Sequence, residues 1–460
     1  MALLIRNGEI VTATERFVAD IRSDGERIAE IGPGLHAPPG TEVVEAAGML
    51  VFPGFIDPHT HVHLPAMGTL GRDTYETASR AALLGGTTCF FDFCTPAPHE
   101  DPRDALATWQ EKSEGKSACD YAFHQAVTRF DDRVEEQLRA IVREGIPSFK
   151  VFLAYEGTLG ISDAELYRTL RLARKLGVIT LAHCENAAAV AARQRELLAA
   201  GRTGPEWHHE SRPPAVEADG THHLLAFAEL LDAPVYVVHL SCAEALRVAL
   251  RARRRGVRVA IEVLIQHLLL DRTCAERPDF EGAKYVMSPP LRDAGNQPRL
   301  WRALGRGRID TVATDHAPFD FADQKRMGEH DFTRIPNGLP GIEDRVNLLY
   351  AHGVRSGRID LHRFVDAAST QPARLFGLFP RKGTIRVGAD ADLVVYDPDR
   401  PGTISRATHA MNVDYNPFEG MQILGRPHLV TVRGRVAVRD GRFVGAPGRG
   451  RFLRREPLHS

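Results

Sequence analysis

Eight short apolar runs, set between segments of helical period, constrain this chain more than any other feature. They are VFPGFIDPH (51–59), TTCFFDF (87–93), YAFHQAV (121–127), SFKVFLA (148–154), VITLAHCE (178–185), VYVVHLS (235–241), VRVAIEV (257–263) and DTVATDHA (310–317). Helical patterns occupy 74–84, 103–112, 131–144, 163–176, 221–231, 243–255 and 297–305. Unbroken apolar runs of this length suit strands covered on both faces, as in a parallel sheet with helical crossovers. Eight such units are the number that closes a (β/α)8 barrel, a TIM-like α/β fold. A doubly wound open sheet is the competing architecture. Its first strand would lead into a glycine-rich nucleotide turn, and none follows residue 59.

The two ends of the chain follow a different grammar. LLIRNGEIVT reads as two apolar runs around Asn7-Gly8, a two-residue hairpin signal, and DIRSDGERIAEIG repeats it around Asp24-Gly25. Near the C-terminus, ADLVVYDPD (391–399) reads as a strand, and VTVRGRVAVRDGRFVG carries turns at Arg433-Gly434 and Asp440-Gly441. One small sheet domain built from both termini is the expected arrangement, over two unrelated appendages. The expected division is 1–52 and 379–445 for that β domain and 53–378 for the barrel. The Pro/Gly/Arg-rich segment 446–460 remains as a C-terminal arm or tail. Its basic run could meet nucleic acid, but a packing arm or loose end is the plainer reading.

Composition narrows the function. Hydrophobic residues are 43% and charged residues 25%, which suits a large globular core and excludes a mainly disordered chain. The 58 basic and 59 acidic residues leave a net charge of −1, so no global electrostatic case exists for nucleic acid or an anionic membrane. No apolar run approaches the roughly 20 residues of a membrane helix. The opening MALLIRNGEIVT has too short an apolar run for a signal peptide. Six scattered cysteines do not make a disulfide framework and fit a reducing cytosol, so a cytoplasmic location is expected.

Histidines stand at the ends of several strands. His59 and His61 form an H-x-H pair after the first, and an extended chain turns both rings to one side. His183 lies near the end of the fifth strand, His239 of the sixth and Asp315 of the eighth. In a barrel these converge on the C-terminal rim, where such folds keep their active sites. A lone strand histidine is usually a satisfied core residue. Four histidines and an aspartate at one level need a compensating partner, and they compose a divalent metal site. Zinc is the first choice, with manganese, iron, cobalt or nickel as alternatives. Lys150 is unusual because it interrupts the apolar SFKVFLA. It could snorkel or pair with a carboxylate. Alternatively, burial lowers its pKa and frees the amine to take up CO2. Beside these histidines the second reading is favoured, a carbamate whose two oxygens bridge two metal ions.

The blocks PGFIDPHTHVHLP, GGTT, FKVFLAY, AHCEN, YVVHLSCAEA, EGAKYVMSPPLR, ATDHAPF, DFTRIPNGLPGIEDR and VDYNPF occur in this order along nearly the whole chain. In them the sequence resembles the cyclic-amidase branch of the amidohydrolase superfamily, the dihydropyrimidinases and bacterial hydantoinases. The resemblance implies a metal-binding barrel joined to a small β-sandwich. It implies that His59, His61, carboxylated Lys150 and Asp315 hold one divalent ion, and that the carbamate, His183 and His239 hold a second. It also implies that Tyr155 donates to a developing oxyanion and that backbone groups of Ser288 and Asn337 clamp a cyclic ureide or imide. In the implied reaction two metals yield hydroxide near neutral pH. Asp315 serves as base and then acid, and the ring opens to an N-carbamoyl amino acid. Family likeness further implies a homo-oligomer, with a tetramer favoured.

Some positions depart from the family. His63 stands where an acidic residue is frequent and is not assigned as a ligand. EVLIQHLLL (262–270) is more apolar than its counterpart but keeps Glu262 and Gln266. Met287 replaces a cysteine, and Ala66, Met67, Phe152 and Leu159 fall where loops gate the exocyclic substituent. Allantoinase is the nearest rival activity, but Tyr155 and NGLPGIEDR favour the hydantoinase branch. Dihydroorotase would commonly carry an arginine where His63 stands, and a deaminase would lack the bridging lysine. Scaffold relatives of this fold have lost several ligands, whereas all six positions are filled here.

Overall fold

The structure, a computed structural model, describes residues 2–457. All eight expected barrel strands are present: Phe55–Thr60, Thr87–Cys94, Asp120–Ala126, Ser148–Phe152, Ile179–His183, Val235–Val237, Val259–Leu264 and Thr311–Ala313. They pair in parallel and in chain order. The ring nearly closes between the last strand and the first. There Thr60 bridges His316, the Asp315 N–H donates to the His59 carbonyl at 2.9 Å, and the His61 N–H donates to the His316 carbonyl at 2.8 Å. The closing seam is therefore made by the segments that carry His59, His61 and Asp315.

Helices cover the outside, as the sequence pattern requires. In Asp132–Arg143 the buried residues are Val134, Leu138, Ile141 and Val142, one stripe at helical spacing, and the Asp131 carboxylate caps the first turn on the Val134 N–H. Each such aliphatic side chain withdrawn from water contributes about 2 kcal/mol. Asp163–Leu176 starts at a Ser162/Glu165 capping box and stops at Gly177, whose φ of +66° ends the helix.

Three local readings need correction. The apolar run 51–59 is two strands. Leu50–Pro53 joins the terminal sheet and Phe55–Thr60 opens the barrel. Gly54 between them admits no side chain, because a Cβ would lie 2.1 Å from Thr88 Oγ1. Asn7-Gly8 is not a hairpin. Ala2–Val11 runs through it as one strand, with Asn7 at φ +56° forming a bulge against Arg16–Asp24. The missing side chain of Gly8 lets Val51 approach to 2.5 Å of where a Cβ would stand. Finally, Ala187–Ala199 and the short His208–Ser211 are helices the pattern did not announce, and the helix expected from 221 begins at Pro214.

The terminal strands form a nine-stranded sheet in which Leu50–Pro53 joins the N-terminal strands to Leu393–Thr403, Gln422–Val432 and their hairpins. Ile21 and Ile28 from one end of the sheet and Val395 and Leu429 from the other share one hydrophobic cluster, so the sheet packs upon itself. Residues 452–455 pack against the barrel strands. Phe452 stacks on Phe123 at 5.3 Å, the Leu453 N–H donates to the Tyr121 carbonyl, and Arg455 donates to Ser148 Oγ at 3.0 Å. With Phe376 and Leu378, Leu453 plugs the strands' N-terminal end, and this leaves the opposite mouth for chemistry. Residues 458–460 of the expected arm lie outside the described residues.

Candidate metal centre and active site

The ligand atoms of His59, His61 and Asp315 lie within 4.8 Å of one another, the metal-ligand group found among the described residues. Asp315 Oδ1 is 3.1 Å from His59 Nε2 and 3.0 Å from His61 Nε2. His59 Nε2 is buried yet forms no hydrogen bond, and neither does His239 Nδ1. Buried ring nitrogens without a well-formed hydrogen bond, gathered around one carboxylate oxygen, suit a shared cation. The neighbouring rings continue the cluster. His239 lies 5.5 Å from His59 and 4.6 Å from His183 between ring centres, and Tyr155 lies 5.1 Å from His183. His183 spends Nε2 on Glu185 at 2.7 Å, so a ligand role would fall to Nδ1.

Lys150 sits under this cluster, 1% exposed, with Nζ 4.8 Å from the centre of the Phe93 ring and 5.1 Å from that of Phe152. Burial outweighs the attraction of Asp315 and Glu262 and brings its ammonium down to about 8. A neutral amine is thus accessible near physiological pH. In the chain without metal, burial works against a charged His59, but Asp315 and Glu262 prevail and hold it up at about 9. A cation would have to displace that proton.

The site is held in strained backbone. Tyr155, His239 and Asp315 have φ of +64°, +40° and +52°. Such conformations cost a non-glycine residue about 1–2 kcal/mol each. Each is tied down locally. The Tyr155 carbonyl accepts from the Gly160 N–H at 2.9 Å, the His239 N–H donates to Glu262 Oε1 at 2.8 Å, and the Asp315 N–H uses the His59 carbonyl. Glu262 Oε1 also accepts from His59 Nδ1 at 2.7 Å, and Tyr236 donates to its Oε2. One carboxylate therefore orients His59 and shapes the backbone of His239. Beneath the seam, Asp57 accepts from Thr314 Oγ1 at 2.7 Å and faces Arg345 at 3.6 Å.

Glu262 and Asp57 were not singled out as supports by the sequence reading. Their signal was present, since each is a carboxylate inside an apolar strand. The Glu185–Arg212 ion pair was missed as well, because Arg212 lies in an irregular segment 27 residues further on. Burial, against the pull of Arg212, raises the Tyr155 phenol to about 12, so it keeps its proton and can donate. Ser288 lies beside it, with Oγ 3.3 Å from His208 Nε2. Asn337 is brought next to that loop by the Gly338 N–H donating to the Val286 carbonyl, and its Oδ1 is buried without a partner. His63 sits half-buried in the loop after the H-x-H pair, its N–H donating to the Asp73 carbonyl at 2.9 Å and its carbonyl accepting from Lys112 Nζ at 3.1 Å. Among the described residues, no helix is long and apolar enough to cross a membrane.

Comparison with known proteins identifies the family. Residues 50–437 match the Amidohydrolase family. The chain is 47% identical over 456 residues to a D-hydantoinase of Geobacillus stearothermophilus, covering 99% of this chain and 97% of that one. It superposes on a D-hydantoinase (dihydropyrimidinase) from Thermus sp. with a TM-score of 0.98 and 60% identity, over 99% of each chain. A dihydropyrimidinase from Brevibacillus agri NCHU1002 gives 0.98 and 48% over the full length of both. The chain belongs to the amidohydrolase family, in its branch of D-hydantoinases and dihydropyrimidinases, and is a hydrolase.

Proposed function

We propose that this enzyme is a cyclic amidase dependent on two divalent ions, opening 5-substituted hydantoins and dihydropyrimidines to N-carbamoyl amino acids. The observation that carries the reading is the convergence of His59, His61 and Asp315 within 4.8 Å at the barrel mouth, beside the His183–His239 pair and the sealed Lys150. The donor set fits: unpartnered buried imidazole nitrogens, one carboxylate and a lysine prepared for carboxylation. His59, His61, Asp315 and the Lys150 carbamate would hold one ion, and the carbamate, His183 and His239 the other. Zinc is favoured by the nitrogen and oxygen donors. When bound, the ions supply Lewis acidity toward water and a carbonyl oxygen.

The chain's own groups do the rest. Despite burial, the His59 and His61 rings hold Asp315 well below the usual carboxylate range, so it starts ionised. It takes the proton of the attacking water and returns it to the departing ring nitrogen. Tyr155, protonated, donates to the oxygen on which charge develops. Backbone groups of Ser288 and Asn337 hold the ring edge. The names of the relatives support D-enantiomers of 5-substituted hydantoins.

The test is ring opening by the metal-loaded protein on dihydrouracil, D- and L-phenylhydantoin and allantoin in parallel. Opening of D-phenylhydantoin and dihydrouracil is expected. Turnover of allantoin alone would make it an allantoinase, and no turnover with two ions bound would overturn the reading. The proposal extends to a cytoplasmic homotetramer, and a monomeric mass in light scattering would refute the assembly.

A further inference from the structure

Two loops meet at the barrel mouth, one through Val286–Ser288 and one through Pro336–Gly338. A fully buried lysine joins them. Lys325 Nζ donates to the carbonyls of Val286 at 2.9 Å, Pro336 at 2.6 Å and Gly338 at 2.8 Å. Burial favours the neutral amine, but three carbonyl acceptors require three N–H donors, and only the ammonium has them. Among the described residues no carboxylate pairs with it; three backbone dipoles carry the charge. A buried charge is expensive to keep without an ionic partner. The chain retains one where two loops need a common anchor.

Among the described residues, one further hydrogen bond couples these loops directly. The Gly338 N–H donates to the Val286 carbonyl at 3.1 Å, so that oxygen serves both the lysine and the opposite loop. Val286 and Ile335 share a small cluster with Leu197, Ala283 and Phe332. Gly338, at φ +147°, passes so close to Ala317 that a Cβ would lie 2.4 Å from its carbonyl oxygen. The loops are close-packed below and tied by one backbone bond and one ammonium above.

We propose that Lys325 is a positioning residue that locks these two loops together and so sets affinity for the ring edge of the substrate, from a place no substrate reaches. The substrate part rests on the cyclic-amidase reading. In Lys325→Met, KM for D-phenylhydantoin should rise roughly tenfold while kcat changes less than about threefold, with metal content unchanged. In Lys325→Ala, added methylammonium should restore KM, and tetramethylammonium, which has no N–H, should not.

Amide hydrogen exchange gives a readout independent of turnover. Peptides spanning 286–288 and 336–338 should exchange faster in Lys325→Met, and the barrel strands should not. A wild-type enzyme that opens no ring would sink the functional reading, while the exchange data would still decide the loop lock. An unchanged KM, loss in kcat alone, or exchange raised evenly along the chain would overturn the proposal. If Lys325→Met does not fold, Lys325→Gln is measured in the same way. Failure of both to fold would make Lys325 a general stability element and would also overturn it.

Discussion

Two other buried lysines occupy opposite environments, one at the barrel mouth and one where the barrel base meets the terminal sheet. Lys382 Nζ is 2.8 Å from Asp120, 3.2 Å from Asp390 and 2.5 Å from Asp392. Burial opposes its charge, but Asp392 and Asp390 outweigh it and raise its pKa. Lys150 is as deeply buried, yet its near neighbours are the rings of Phe93 and Phe152, and its pKa falls to about 8. The first is held in its charged form between a barrel strand and the terminal sheet. The second gives up its proton far more readily. What separates them is contact: three carboxylates lie within 3.2 Å of Lys382, whereas Asp315 and Glu262 attract Lys150 without pairing with it.

Replacing each lysine should separate these roles. Lys150→Ala should lower turnover by about 10³-fold or more, because the proposed carbamate could no longer form. Metal analysis should show fewer than two ions per chain, with the fold retained. Full activity with two ions bound would remove the carbamate from the reading. Lys382→Met should do the reverse. Three aspartates at the base would lose their common cation, costing about 3–5 kcal/mol of stability in urea unfolding. Turnover per folded molecule should stay at the wild-type level. A drop in turnover without loss of stability would mean the two regions are coupled.

Tyr155→Phe sharpens the mouth side alone. Removing the proposed oxyanion donor should reduce kcat by about 10²-fold. Two ions should remain bound, and stability should hardly move. An unchanged kcat would exclude the donor role.

The barrel was legible because parallel strands covered on both faces are unbroken apolar runs. A polar residue inside such a run, like Lys150 or His239, stands out for the same reason. Glu262 in VRVAIEV and Asp57 in VFPGFIDPH obeyed that rule equally, and only their partners, far along the chain, reveal what they do. The helix Ala187–Ala199 was illegible because only Val190 and Leu197 are fully buried, so it has no apolar stripe. Arg345–Leu375 was missed for a related reason. Its short α-helical turns alternate with π-helical ones, and the 3.6-residue period is lost. Asn7-Gly8 misled because a left-handed Asn before Gly serves a bulge as well as a hairpin. Lys325 and Lys382 draw their meaning from carbonyls and carboxylates that no local window contains.

The pH dependence of stability gives the smallest effect and the most direct comparison. In the metal-free protein the unfolded chain binds a proton at Lys150 up to about pH 10.5, and the folded chain releases it near 8. Between those values the unfolded state holds more protons, so stability rises with pH by about 1 kcal/mol per unit from this group. Below 8 both states are protonated and the contribution is flat and unfavourable. Lys382 has the opposite sign. Its folded pKa is raised, so its stabilisation is fully present below 10.5 and is lost only as pH climbs past that value. Urea unfolding of metal-free wild type, Lys150→Met and Lys382→Met across pH 7.5 to about 10 reads both. The wild-type stability relative to Lys150→Met should increase through that range, and relative to Lys382→Met it should stay level. A level first difference would place a counter-charge beside Lys150 and make it a second Lys382, with no amine free for CO2.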